Sequence, residues 1–223
     1  MNVGEDGIVA MGATHRAYLL AACALALCAL VLQLYLTVSL AVANGMSVAA
    51  GVVRFFSYFT VTTNTLAAIM FTGELIAGRT QRRSFFTRPG VVAAITAYMI
   101  VVGITYSLLL RATWNPVGLQ LVADRLLHDV MPIVTAVYWL AFAASGKLHA
   151  RMIGVWLIYP IVYLLYSLGA GAISGFYPYP FIDAGTLGYA ATLVNSAAIT
   201  VAFVVLAWVM ITVDRYVGRV RAR

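Results

Sequence analysis

AYLLAACALALCALVLQLYLTVSLAVA, residues 17–43, runs for 27 residues without a charged side chain. Roughly 20 mostly apolar residues suffice for a helix to cross the hydrocarbon core of a bilayer. The stretch is therefore predicted to be a transmembrane helix. It is too long, and the residues before it too acidic (Glu5, Asp6), for a cleavable signal peptide. Cys23 and Cys28 lie five apart within it, a spacing that does not set them side by side on a helix. They are read as small apolar packing residues with no redox or metal role.

Working outward, five more stretches have the same character: about 51–77, 90–111, 124–144, 152–174 and 188–213. The 223-residue chain is 63% hydrophobic and 9% charged, against about 25% charged in soluble domains. That composition leaves no room for a separate soluble domain. No internal repeat is visible and the connections are short. The expectation is an all-α polytopic membrane protein, one domain over 1–223, built as a six-transmembrane-helix bundle.

Basic residues set the orientation of such a bundle. Eleven of the fourteen fall on one side: Arg16, then Arg79, Arg82, Arg83 and Arg88, then Lys147 and Arg151, then Arg215, Arg219, Arg221 and Arg223. Both termini are accordingly expected to be cytoplasmic. The net charge of +7 lies almost wholly on that face, where anionic lipid head groups account for it and no nucleic acid is needed. The Ala-, Val- and Arg-rich composition suits a bacterial inner (plasma) membrane. Arg54, Arg111 and Arg125 remain for the other side, matched by Asp124, Asp129 and Asp183. Balanced charge at one end points to an organised polar site or to a mutual ion-pair network.

Three elements converge on that outer side. RFFSYFTVTTN, residues 54–64, sets Arg54, Ser57, Thr60 and Asn64 along one helical face of the second span. Hydroxyls in spans often bond their own backbone or bridge helices as packing, but this run holds an arginine and several polar groups in eleven positions. DRLLHDVMP, residues 124–132, opens the fourth span and places Asp124, His128 and Pro132 on a common face. An ionisable residue inside a membrane marks a functional site by default, and neutral imidazole is the form a general base needs. SGFYPYPFIDAG, residues 174–185, alternates Tyr177 and Tyr179 with Pro178 and Pro180 and reads as an interfacial aromatic loop or a lid. A hydroxyl beside a histidine is the minimum for nucleophilic catalysis. Asp124, Asp129 and Asn64 are candidates to orient the base. Arg54, Arg111 and Arg125 are candidates to hold a carboxylate or an oxyanion.

These residues resemble a known family. RFFSYFTVTTN, LLHDVMP, WLIYPIVYLLYSLGAG and SGFYPYPFID, spread over roughly 50 to 190, look like the bacterial six-helix Pr-six-Pr integral membrane proteins. Those are similar, more distantly, to the eukaryotic androgen-induced and androgen-dependent membrane proteins, intramembrane threonine hydrolases of fatty acid esters of hydroxy fatty acids. The resemblance implies a nucleophile after a basic–aromatic–apolar triplet. Here the triplet is Arg54–Phe55–Phe56, which selects Ser57 in place of the family's threonine, with Thr60 the alternate. It implies His128, ahead of Pro132, as base.

The leading expectation is thus a serine/threonine hydrolase of a lipid ester, acting without cofactor on an amphiphilic substrate drawn from membrane lipid near the outer leaflet. The alternative is a non-catalytic binder or transporter of a lipid or small amphiphile with the same polar pocket. No paired interrupted helices or inverted repeat favours a secondary transporter. The only lysine, Lys147, lies outside every span, which argues against a retinal Schiff base. There is no HExxH and no phosphate-cradling loop. A metal held by Asp124, His128 and Asp129 is the lesser reading, and none is expected.

Overall fold

In a computed structural model of the chain, residues 11–80 and 84–221 are described. Glu5, Asp6, Arg82, Arg83 and Arg223 lie outside them. The described residues are helical and turn segments without a strand. Eight helices follow in order: α1 Ala13–Ala43, α2 Val48–Phe56, α3 Phe59–Thr80, α4 Pro89–Thr105, α5 Leu119–Arg125, α6 Met131–Tyr138, α7 Met152–Ser174 and α8 Ala184–Arg221. Wide turns extend α4 through Tyr106–Leu110, join α5 to α6 through Leu126–Val130, and extend α6 through Trp139–Ala143.

Five helical stretches among the described residues are long and apolar enough to cross a membrane: Ala13–Ala43, Pro89–Leu110, Leu119–Ala143, Met152–Ser174 and Ala184–Arg221. They match five of the six expected spans to within a few residues at most ends, the last running on past its expected end. The remaining stretch, expected as one helix over 51–77, is broken at Ser57 and Tyr58 into α2 and α3. The continuous face expected for Arg54, Ser57, Thr60 and Asn64 therefore does not form. The large apolar side chains left exposed, such as Val31, Leu108 and Ile173, are what a helix offers to lipid.

By packing, the chain divides into two compact units, the described residues of Met1–Phe55 with Thr60–Ala144, and those of Phe56–Phe59 with Ser145–Arg223. In the first unit α4 is the core. Every residue from Val92 to Met99 is buried, and α4 packs against α6. On α1, Leu19, Ala22, Ala26 and Ala29 form a buried stripe at the three-four spacing that lets helices approach closely. Gln120 on α5 donates to Gln33 on α1 at 3.0 Å. Gly51 on α2 sits so near α1 that a Cβ there would lie 3.0 Å from the Val38 Cα.

In the second unit α7 packs against α8. The fully buried Asp214 of α8 accepts the N–H groups of Ser145 (2.8 Å) and Leu148 (3.0 Å), which latches the loop before α7. Asp183 caps the first turn of α8: its carboxylate accepts the Thr186 hydroxyl at 2.8 Å and the Thr186 N–H at 3.1 Å. Those two bonds hold its carboxyl below the usual carboxylate range.

Gly51→Leu should force α2 away from α1. Overpacking of this kind costs about 1–3 kcal/mol, so the thermal midpoint of the detergent-solubilised protein should fall by several degrees. Gly154→Leu is the matched control, because a Cβ at Gly154 meets nothing within 4 Å, and its midpoint should not move. Equal midpoints for the two variants would show that the approach of α2 to α1 contributes nothing.

Candidate functional site

Pro132 shapes the site in the first unit. It has no N–H, and its ring would press on the carbonyl four residues back, that of His128, in a regular helix. The chain relieves this with the wide turn Leu126–Val130, in which the Met131 N–H reaches back five residues to the Leu126 carbonyl. Such turns recur at functional sites. With Met131 committed to Leu126 and Pro132 without a donor, the Leu127 carbonyl has lost both helical partners. Asn64 from α3 supplies one: its Nδ2 donates to the Leu127 carbonyl at 3.4 Å and to the Thr60 carbonyl at 2.8 Å, and the side chain is fully buried. Gly103 of α4 closes the other side. A Cβ there would lie 3.2 Å from both the His128 carbonyl and the Pro132 Cβ.

This arrangement brings Thr60 to His128. The Thr60 Oγ1 is 3.3 Å from His128 Nε2. On the far side of the ring, Nδ1 is 3.0 Å from the Asp124 main-chain carbonyl and 3.2 Å from the Asp124 Oδ1. Both of those groups are acceptors, so the imidazole proton belongs on Nδ1. Its N–H is directed at the carbonyl, and the carboxylate oxygen acts beside it as a charge. Nε2 of the neutral ring is then an acceptor, and the Thr60 hydroxyl donates to it. Asp124 is only 2% exposed. Its other oxygen, Oδ2, accepts the Tyr106 hydroxyl at 2.5 Å. The Tyr106 ring lies over the imidazole with centroids 4.0 Å apart and planes 16° from parallel.

The charges expected on the outer side resolve into distinct pairings. Arg111 and Arg125 both pair with the Asp129 carboxylate, Arg125 at 2.8 Å. Arg111 also donates to the Ser107 hydroxyl at 3.2 Å and stands 5.0 Å over the Tyr106 ring. Two cations share one carboxylate, and with the Asp124 carboxylate the charges around the His128 turn balance. Among the described residues no group of three acidic, histidine or cysteine side chains is arranged to hold a metal.

The remaining sequence-predicted residues lie elsewhere. Ser57, at the break, belongs to the second unit, where its hydroxyl is 3.4 Å from the Tyr166 hydroxyl and its carbonyl accepts the Tyr163 hydroxyl at 2.8 Å. Helix ends leave carbonyls without helical partners, and Tyr163 satisfies one of them. Tyr58 packs edge-on against Phe176 and Tyr179, and Tyr179 stacks on Phe181. Tyr177 covers Gly171 so closely that a Cβ there would overlap its ring. Arg54, on α2, reaches the Met46 sulfur at 4.0 Å. Thr60, Asn64, Asp124 and His128 are thus gathered in the first unit with the Arg111–Asp129–Arg125 cluster, and Ser57, Tyr177 and Tyr179 serve the second.

Tyr106 was missed in the sequence. A tyrosine near the end of a span is usually an interfacial anchor, and only its position five residues before Arg111 set it apart. Searched against known proteins, the chain matches no protein family, no curated protein and no solved structure.

Asn64→Ala should leave the Leu127 carbonyl buried without a donor, a loss of about 1–3 kcal/mol. The thermal midpoint should drop, and backbone amide exchange should quicken at Leu127–Met131. A midpoint and an exchange pattern matching wild type would remove Asn64 from the account of this turn.

Proposed function

We propose that the protein is an intramembrane threonine hydrolase of a lipid ester. The observation that supports this best is the row Thr60 Oγ1–His128 Nε2, then His128 Nδ1–Asp124, built from groups on α3, the wide turn and α5. A nucleophile on a base that is itself oriented by a third group is the general pattern of covalent acyl transfer. The 3.3 Å between hydroxyl and imidazole is the loose contact that tightens when substrate binds.

In this reading His128 Nε2 takes the Thr60 proton as Oγ1 attacks the ester carbonyl. The tetrahedral adduct collapses, and the proton on Nε2 passes to the departing alkoxide, which leaves as an alcohol. Water then attacks the acyl-threonine with His128 again as base, releasing the carboxylic acid and restoring the Thr60 hydroxyl. One ester and one water yield one acid and one alcohol. Asp124 stabilises the imidazolium formed in each half. The guanidinium groups of Arg111 and Arg125 are the donors on hand for a polar head group, with the apolar remainder of the substrate in lipid.

The same proposal has α2 and α3 together make a sixth crossing, with both termini in the cytoplasm and Thr60 and His128 in the outer half of a bacterial inner membrane. The count of arginines and lysines on the two sides supports that orientation.

Treatment of the purified protein with a lipophilic fluorophosphonate, which bonds only to an activated hydroxyl, tests the chemistry. Labelling should occur in wild type and in Ser57→Ala, and should be lost in Thr60→Ala and His128→Ala. Loss in Ser57→Ala alone would move the nucleophile to Ser57. A folded wild-type protein that takes no label would leave these residues as the polar wall of a pocket that binds an amphiphile without cutting it.

A further inference from the structure

We infer that Tyr106 is a positioning residue that acts on His128 through Asp124, an inference that rests on the threonine-hydrolase reading. The buried Asp124 has two oxygens with different duties. Oδ1 accepts no hydrogen bond and stands 3.2 Å from His128 Nδ1, while Oδ2 is held by the Tyr106 hydroxyl at 2.5 Å. Asp124 and His128 are one helical turn apart on the same helix, so their own backbone does little to fix the carboxylate's rotation. Tyr106, arriving from the end of α4, fixes it. The hydroxyl donates, so Asp124 is met as an acceptor on Oδ2, and Oδ1 is left facing the ring nitrogen.

Tyr106 makes a second contact that serves the same end. Its ring covers one face of the imidazole nearly in parallel, which restricts rotation of the ring about its bond to the chain. The Tyr106 side chain is 4% exposed and carries Arg111 5.0 Å from its ring. Stack and hydroxyl together set the plane of the imidazole and the rotation of the carboxylate, which act with the Asp124 main-chain carbonyl to keep the proton on Nδ1. Charged groups near Asp124 and His128 among the described residues include Asp129 on the adjoining turn, Arg125 on α5 and Arg111 beyond α4. From α1 the contact to α5 is the neutral Gln33.

The consequence is a tautomer held in advance. With the proton kept on Nδ1, Nε2 stays an acceptor toward Thr60. Without the Tyr106 hydroxyl, the Asp124 carboxylate can turn away and its charge no longer adds to the hold of the Asp124 main-chain carbonyl on Nδ1–H; the preference for that form weakens, and a fraction of the protein presents an N–H to the threonine where it needs a lone pair.

The test uses full-length protein with nitrogen-15 in its histidines. The His128 signals are assigned by their loss in His128→Gln, and imidazole nitrogen shifts distinguish the two tautomers. Wild type should show the Nδ1–H form. Tyr106→Phe keeps the ring and removes the hydroxyl; it should show a mixture of tautomers, and fluorophosphonate labelling of Thr60 should slow by about tenfold to a hundredfold, the worth of one hydrogen bond to a charged group. Asp124→Asn should disturb the tautomer with Tyr106 in place. The double variant Tyr106→Phe/Asp124→Asn should label no more slowly than Asp124→Asn alone, because the two act in series.

Multiplying rates in the double variant, or an unchanged His128 spectrum in Tyr106→Phe, would overturn the inference and leave Tyr106 a packing residue. The spectroscopic arm needs no turnover. A wild-type protein that takes no label but whose tautomer shifts in Tyr106→Phe would overturn the hydrolase reading and keep the positioning role. An Nε2–H tautomer in wild type would overturn both.

Discussion

A backbone carbonyl in an apolar setting must find a donor, because no water is at hand to supply one. At Leu127 that requirement organises the site. Pro132 withholds one N–H, and the wide turn spends that of Met131 on Leu126. The orphaned carbonyl is met from another helix by Asn64. Asn64 also holds the carbonyl of Thr60, one turn before it on α3. A single amide therefore ties the turn that carries His128 to the turn that carries Thr60. The contact between the Thr60 hydroxyl and the His128 imidazole follows from that tie.

Charge is handled by the same economy. Asp124 is buried, and a buried carboxylate needs hydrogen bonds or a counter-charge; it has the Tyr106 hydroxyl on one oxygen and the imidazole by the other. Asp129, five residues on and half-exposed, takes both arginines. The separation matters chemically. An arginine on Asp124 would quench the negative charge that an imidazolium at His128 calls for, and Asp129 keeps Arg111 and Arg125 occupied at the turn's outer side.

Much of this was legible in the sequence, and the failures have a common cause. Spans were readable because apolar length is a local property, and five of them stand close to where hydropathy put them. DRLLHDVMP was readable because Asp124, His128 and Pro132 are near neighbours whose spacing places them together. The break at Ser57 was not. The tyrosine hydroxyls that meet Ser57, from Tyr163 and Tyr166, lie more than 100 residues along the chain, and nothing in RFFSYFTVTTN itself forbids a continuous helix. Extending one helical face through the break put Ser57 and Thr60 together, and the structure separates them. The triplet Arg54–Phe55–Phe56 singled out Ser57, whereas the hydroxyl 3.3 Å from His128 is that of Thr60. The balanced outer charges left two readings open, and both have a counterpart: an ion-pair cluster at Asp129, and a polar constellation at Asp124.

Tyr106 shows what kind of residue such reading passes over. It sets a hydroxyl on Asp124, a face on His128 and its ring under a guanidinium, and each of these contacts is made to a different type of group. No short motif encodes that combination. It depends on α4 ending in a wide turn, where the Arg111 N–H closes on the Tyr106 carbonyl at 2.8 Å, so that the residue opening the turn and the one closing it both bear on the site. The two wide turns, at Tyr106–Leu110 and Leu126–Val130, each insert an extra residue at the level of Asp124 and His128. A regular helix in either place would rotate the residues beyond it by about 100°, and the stack of arginine, tyrosine and histidine would be lost. The irregular turns are therefore part of the site, and a reading built on ideal helical periodicity is least accurate where the chemistry is concentrated.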